Sequence, residues 1–101
     1  MNMQALLKQA QKMQKDVQKI EKELNEREYE GTAGGMVKVI VKGNLNVVSV
    51  SLDDEVCSVE SKEDLQTMLV SAFNNAVNNA KKDKDLHMNK VTGGIKMPGG
   101  F

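Results

Sequence analysis

Lys8, Lys12, Lys15, Lys19 and Lys22 recur at intervals of four and three residues in the stretch KQAQKMQKDVQKIEK. An ammonium group is a compact point charge with three donors. A row of them along one element suits the neutralisation of a polyanion such as a phosphate backbone. A second group, Lys81, Lys82 and Lys84, stands further along the chain in AKKDKD. Other residue types capable of chemistry are sparse. His87 has no serine, cysteine or metal ligand at a useful spacing and reads as a solvated residue. Cys57 is single, which permits no internal disulfide and offers no metal-ligand spacing. Asp53, Asp54 and Glu55 are consecutive carboxylates without the glycine and spacing of a calcium loop. Gly34-Gly35 lacks the phosphate-loop pattern and reads as hairpin geometry. Together these residues point away from an enzyme, a cofactor, a metal and a small-molecule substrate.

The elements that position the lysines follow from periodicity. Met3, Leu6, Ala10, Met13, Val17, Ile20 and Leu24 are spaced 3 and 4 residues apart in alternation, the seam of three coiled-coil heptads. A helix over residues 3 to 26 is expected, about 36 Å long at about 1.5 Å per residue. In this frame Lys8, Lys15 and Lys22 take position f, and Lys12 and Lys19 take position c, facing away from the seam. From Glu28 the period becomes two. EYEGTA, MVKVIVK and NVVSVSL, separated by turns at Gly34-Gly35 and Gly43-Asn44, read as three antiparallel strands in a meander. One face, with Val37, Val39 and Val41 on the middle strand and Val48, Val50 and Leu52 on the third, is expected to be covered. Ser61 opens a second helix. Its apolar stripe of Leu65, Met68, Leu69, Ala72, Phe73, Ala76, Val77 and Ala80 suits burial against the sheet and fades after Ala80. That places Lys81, Lys82 and Lys84 near the helix end.

The expected class is therefore α+β, a long N-terminal helix, a three-stranded antiparallel meander and a long C-terminal helix. One domain is expected over residues 1–92, followed by a flexible Gly/Pro tail over 93–101. A strand of seven residues spans only about 23 Å, so the helices overhang the sheet, and the projecting seam calls for partner helices, most simply from a second copy. No apolar run suits a signal sequence or a membrane span, which points to the cytoplasm.

Charge distribution sharpens the reading. The chain has formal net charge +0, yet residues 1–20 carry four lysines against Asp16, and residues 21–30 carry five glutamates against Lys22 and Arg27. Basic residues at a helix N-terminus and acidic ones at its C-terminus oppose the macrodipole. A violated local rule without local compensation is a mark of function. Arg27 is the only arginine, so bidentate reading of guanine is largely unavailable and weak sequence preference is expected. Three aromatic residues, Tyr29, Phe73 and Phe101, provide no stacking platform for single strands or RNA. An alternative reading is a dimeric coiled-coil adaptor that docks a protein partner through its acidic surface, Glu21 to Glu30 with Asp53 to Glu55.

Five stretches in this order, LLKQAQKMQKDV, GTAGGMVKVIVKG, VSLDD, LVSAFNNAVNNAKK and TGGIKMPGGF, together resemble the YbaB/EbfC family of bacterial nucleoid-associated proteins over essentially the whole chain. The resemblance implies a tweezer-like homodimer, with helical arms projecting from a joined sheet region, that binds duplex DNA in the nucleoid, alters its conformation and influences gene expression. It departs from the family where Asp53-Asp54 replaces a common Asp-Pro and Met36 a third glycine. It supplies no short DNA-contact motif. The contact candidates Lys8, Lys12, Lys15, Lys19, Lys81, Lys82 and Lys84 thus rest on charge alone.

Overall fold

A helix built from Leu, Lys, Gln, Glu and Met needs little more than a start signal to form. In the computed structural model, which describes residues 2–91, that signal is Asn2, whose side chain accepts from the Gln4 amide at 3.1 Å. Helix α1 spans Met3–Glu26. It closes with the Arg27 amide donating to the Leu24 carbonyl, and the chain turns extended at Arg27.

Strands β1 (Glu28–Ala33), β2 (Val37–Lys42) and β3 (Val47–Leu52) form an antiparallel sheet in the order β1-β2-β3. Gly34 and Gly35 both have positive φ, the requirement of the tight hairpin between β1 and β2. The second turn is centred on Gly43 and Asn44 as expected, with the Leu45 amide donating to the Lys42 carbonyl at 2.8 Å. Its left-handed residue is Leu45, at φ 70°, rather than Gly43 or Asn44. Gly43 serves another purpose, since a Cβ there would strike the Leu24 carbonyl of α1. Its amide donates to the Arg27 carbonyl at 2.9 Å.

Pairing aligns Tyr29, Gly31 and Ala33 of β1 with Val41, Val39 and Val37 of β2, and Val37 and Val39 in turn with Leu52 and Val50 of β3. These residues share one face. A bulge shifts the register between Ile40 and Val41, so Val41 faces Val47 and Val48 is the extra residue. After a short 3-10 turn over Asp54–Val56, capped by the Asp53 carboxylate on the Glu55 amide, helix α2 runs over Lys62–Val91. Ser61 stands just before it, with its hydroxyl donating to the Glu55 carbonyl at 3.3 Å.

Helix α2 lies across β1 and β2. Ala72 and Ala76 are completely buried, together with Val37, Val39, Val41 and Val56, and Tyr29, Leu65, Met68, Leu69 and Phe73 pack around them. The approach is close enough that a Cβ on Gly31 would collide with the α2 backbone at Ala72 and Ala76. Small residues on both sides set this spacing.

Two expectations need correction. The sheet face continues onto β3, but α2 does not reach it. Val47, Val48, Val50 and Leu52 remain 54, 45, 42 and 40% exposed, because one helix about 10 Å wide covers two strands spaced about 4.8 Å apart and no more. Nor do Lys81, Lys82 and Lys84 stand near the end of α2. The helix continues to Val91 with Met88 buried, because the apolar stripe skips a turn and resumes where α2 leaves the sheet and meets α1. Leu24 is buried on α1 as well. Lys81, Lys82 and Lys84 therefore lie within the helix.

The result is a rod. The radius of gyration is 19.1 Å, against about 13 Å for a compact chain of this size, and the extents are 70 × 19 × 17 Å. The glycine- and proline-bearing tail lies outside the described residues.

Candidate nucleic-acid interface

Two helices of unequal reach build the arm. They run antiparallel, with Arg27 at the end of α1 against Asp83 of α2 and Lys90 sharing a shallow groove with Asp16, Lys19, Ile20 and Glu23. The last residues of α2 thus stand level with the middle of α1, and the N-terminal half of α1 continues alone. Lys8 and Lys12 on that lone half, and Lys15 and Lys19 near the level where α2 ends, are all exposed, spread over about 16 Å of helix.

The α2 lysines are arranged differently. Successive helical residues diverge by about 100°, so Lys81, Lys82 and Lys84 leave the axis in three directions. Lys82 lines a groove beside β1 with Glu30, Thr32, Asn75 and Asn79, Lys81 is exposed, and Lys84 is half-buried. The lysine of α2 brought closest to the row is Lys90, against Lys19. Sequence reasoning passed over it because the apolar stripe fades after Ala80; the available signal was Met88, two turns beyond Ala80.

A polar cluster fixes the base of the arm. The Asp83 carboxylate accepts from the Tyr29 hydroxyl at 2.5 Å and from the Arg27 guanidinium at 2.9 Å. His87 Nδ1 lies 2.8 Å from the Asp83 carbonyl and 3.1 Å from its carboxylate. Both oxygens only accept, so Nδ1 carries a proton. The Tyr29 hydrogen bond, then that of Arg27, holds the Asp83 carboxyl below its ordinary value against the opposing effect of burial. Burial, reinforced by Asp83, pushes the Tyr29 hydroxyl up to about 12. His87 is thus not the solvated residue that the sequence implied, and Tyr29 shares its partner Asp83. They join α1, β1 and α2 at one point.

The acidic surface of the adaptor reading is partly engaged within the chain. Glu26 pairs with Lys42 at 3.3 Å and Glu30 with Lys38 at 3.4 Å. Among the described residues no helix is long and apolar enough to cross a membrane, and no group of three or more His, Cys, Asp or Glu is placed to hold a metal.

Fold and site define a class: an α+β chain whose meander carries a lysine-faced helical arm. The chain matches the YbaB/EbfC DNA-binding family over residues 1–95 and belongs to it. Among its relatives, a nucleoid-associated protein of Alkaliphilus metalliredigens is 42% identical over 99% of this chain and 89% of its own length. Another, from Caldanaerobacter subterraneus subsp. tengcongensis, is 38% identical over 99% of this chain and 91% of its own. The crystal structure of an uncharacterized protein from Helicobacter pylori is similar with a TM-score of 0.71 at 27% identity, covering 90% of this chain and 98% of that one. The family is one of non-enzymatic DNA-binding proteins.

Proposed function

We propose that this protein is a nucleoid-associated protein of the bacterial cytoplasm that binds duplex DNA as a homodimer, with weak sequence preference, altering DNA conformation and influencing gene expression. Residues 1–92 act as one DNA-binding and dimerisation unit. Lys8, Lys12, Lys15 and Lys19 contact phosphates, Lys90 extends their row onto α2, and Lys81, Lys82 and Lys84 assist. The observation that carries the reading is the exposed lysine face on an arm that projects beyond its own sheet. A row of this kind serves a long polyanion better than a small ligand, because neighbouring ammonium groups engage successive phosphates.

The second copy is supported by β3. Its apolar residues lie on the core face of the sheet yet stay exposed, which is how a strand looks when its cover comes from elsewhere. The opposite edge of the sheet is closed, because Asn75 and Asn79 of α2 donate to the Thr32 and Glu30 carbonyls at 3.0 and 2.8 Å. Only the β3 side is left for joining two copies into one sheet region with an arm at each end.

The test is a salt-titrated binding measurement on two duplexes of unrelated sequence, beside a mass measurement of the free protein. A dimer that neutralises about six phosphates gives log affinity against log salt a slope near −5, similar for both duplexes. The triple variant Lys8→Glu, Lys12→Glu, Lys15→Glu loses binding while keeping its mass. Retained affinity in that variant moves the site off α1, and a flat salt dependence rejects phosphate contact altogether.

A further inference from the structure

From Met3 to Gln18 the charges of α1 are confined to one side. Lys8, Lys12, Lys15 and Asp16 occupy heptad positions f, c and g, whereas positions e and b, on the other flank of the apolar seam, hold only Gln4, Leu7, Gln11, Gln14 and Gln18. Helix α2 covers the seam at its far end alone, where Leu24 is buried and Ile20 and Val17 are half-buried. Met3, Leu6 and Leu7 stay open, Leu7 by 58%.

The open face has shape as well as neutrality. Ala10, Met13, Gln14 and Val17 stand at i, i+3, i+4 and i+7, and with Gln18 they form a shallow, mainly apolar groove of about 460 Å³. Four residues at that spacing make the hole that receives one side chain of a neighbouring helix. The same face carries a matching knob, Leu7, about 10 Å toward the N-terminus at about 1.5 Å per residue.

Knob and hole fit a second copy laid antiparallel. A two-fold axis beside Ala10 carries Leu7 of each chain into the hole of the other, and the small Ala10 side chain lets the helices approach where they cross. Overlap then runs from Met3 to Val17 and ends where α2 begins, since Lys90 lies against Lys19 and Ile20. A parallel pair would set hole against hole and bring Glu21 and Glu23 of both chains to one level. Charge selects the same occupant: an acidic or basic partner gains nothing from a face without charge, whereas glutamine amides both donate and accept and so match their own kind.

We infer that the charge-free face of α1 pairs antiparallel with the same face of a second copy, Leu7 of each filling the hole of Ala10, Met13, Gln14 and Val17 on the other. Antiparallel arms set their sheets at opposite ends, which two chains joined at β3 cannot do, so the contact lies between separate particles; this last step rests on the β3 joint proposed above. A few helical turns bury less than the about 1,200–2,000 Å² of stable interfaces. The contact is therefore absent from dilute protein and forms where arms are crowded, as on a duplex that holds successive particles side by side. Positions f and c point away from it, so it links neighbours and leaves the lysine rows free.

The test uses the full chain with Cys57→Ser, concentrated and free of DNA, and single introduced cysteines. Ala10→Cys forms an interchain disulfide at least tenfold faster than Lys12→Cys, which lies on the charged side, and adding Leu7→Gln removes that preference while the circular dichroism of the helices is unchanged. Equal rates at the two positions overturn the inference. In a mixture of Leu6→Cys and Gln14→Cys chains the mixed disulfide forms faster than the one between two Leu6→Cys chains; the reverse order means parallel helices and overturns it too. Oxidation of Ala10→Cys at least doubles the particle mass of the reduced protein, and an unchanged mass rejects the inference by placing both arms in one particle. Doubling from a single chain supports the arm contact and rejects the β3 joint instead.

Discussion

Asp83 is where single residues matter most, since one carboxylate holds Arg27, Tyr29 and His87. Its acidity is raised by these partners, so its stabilisation is complete above the ordinary carboxylate range and is lost as pH falls through and below that range. Tyr29 works in the opposite sense. With its hydroxyl pushed from 10.0 up to about 12, its contribution is full below pH 10 and disappears as pH rises toward 12. Thermal unfolding followed across pH therefore declines on both sides, and Asp83→Asn removes the acid limb but only weakens the alkaline one, which the burial of Tyr29 chiefly sets, while costing about 1–2 kcal/mol near neutrality. Leu45 offers the contrary case. A branched apolar side chain at φ 70° is strained, so Leu45→Gly raises stability by up to about 1 kcal/mol, several degrees in Tm for a chain this size. Gly31→Ala, by contrast, forces a methyl into the α2 backbone and costs about 3 kcal/mol in chemical denaturation.

At the scale of elements the sequence was readable where periodicity alone decides. The seam of α1 starts at Met3 and ends within three residues of Leu24, and the structure bounds the helix at Met3–Glu26. The three strands fall where alternation and glycine turns put them. Periodicity was mute wherever a long-range contact decided. Nothing local marks Gly43 as the place where α1 and the second turn touch, nor Leu45 as the residue that takes the left-handed conformation. The packing of the far third of α2 was missed because its burial comes from α1 rather than the sheet, which interrupts the stripe between Ala80 and Met88. The lysine row of α1 was plain from spacing, whereas Lys90 joins it only through the packing of two helices. The asparagines of LVSAFNNAVNNAKK look like a polar helix face, yet Asn75 and Asn79, one turn apart, meet carbonyls two residues apart on β1. This closes an edge that would otherwise invite strand pairing. Replacing both with alanine removes about 1 kcal/mol per hydrogen bond, and the loss is visible as faster amide hydrogen exchange in β1 ahead of β2.

The whole molecule is organised around what its single chain does not complete. A rod of 70 Å keeps its hydrophobic core at β1, β2 and α2, and leaves β3 half-covered. The proposed dimer and the proposed DNA grip are linked at this scale, because two arms engage one polyanion only while β3 holds the copies together. A charge placed on β3 separates the two functions without touching a lysine. Val50→Glu buries a carboxylate at the joint between copies, which is strongly unfavourable there, yet the side chain remains tolerable on a free chain whose Val50 is already 42% exposed. The variant is expected to keep its helices and to sediment as a single chain. Its duplex affinity falls at least tenfold from lost avidity, and the salt slope falls from near −5 to about half, as the phosphates engaged per particle fall from about six to three. An unaltered slope in a single-chain Val50→Glu protein would mean that one arm suffices, and the bracketing of DNA between two arms would have to be given up.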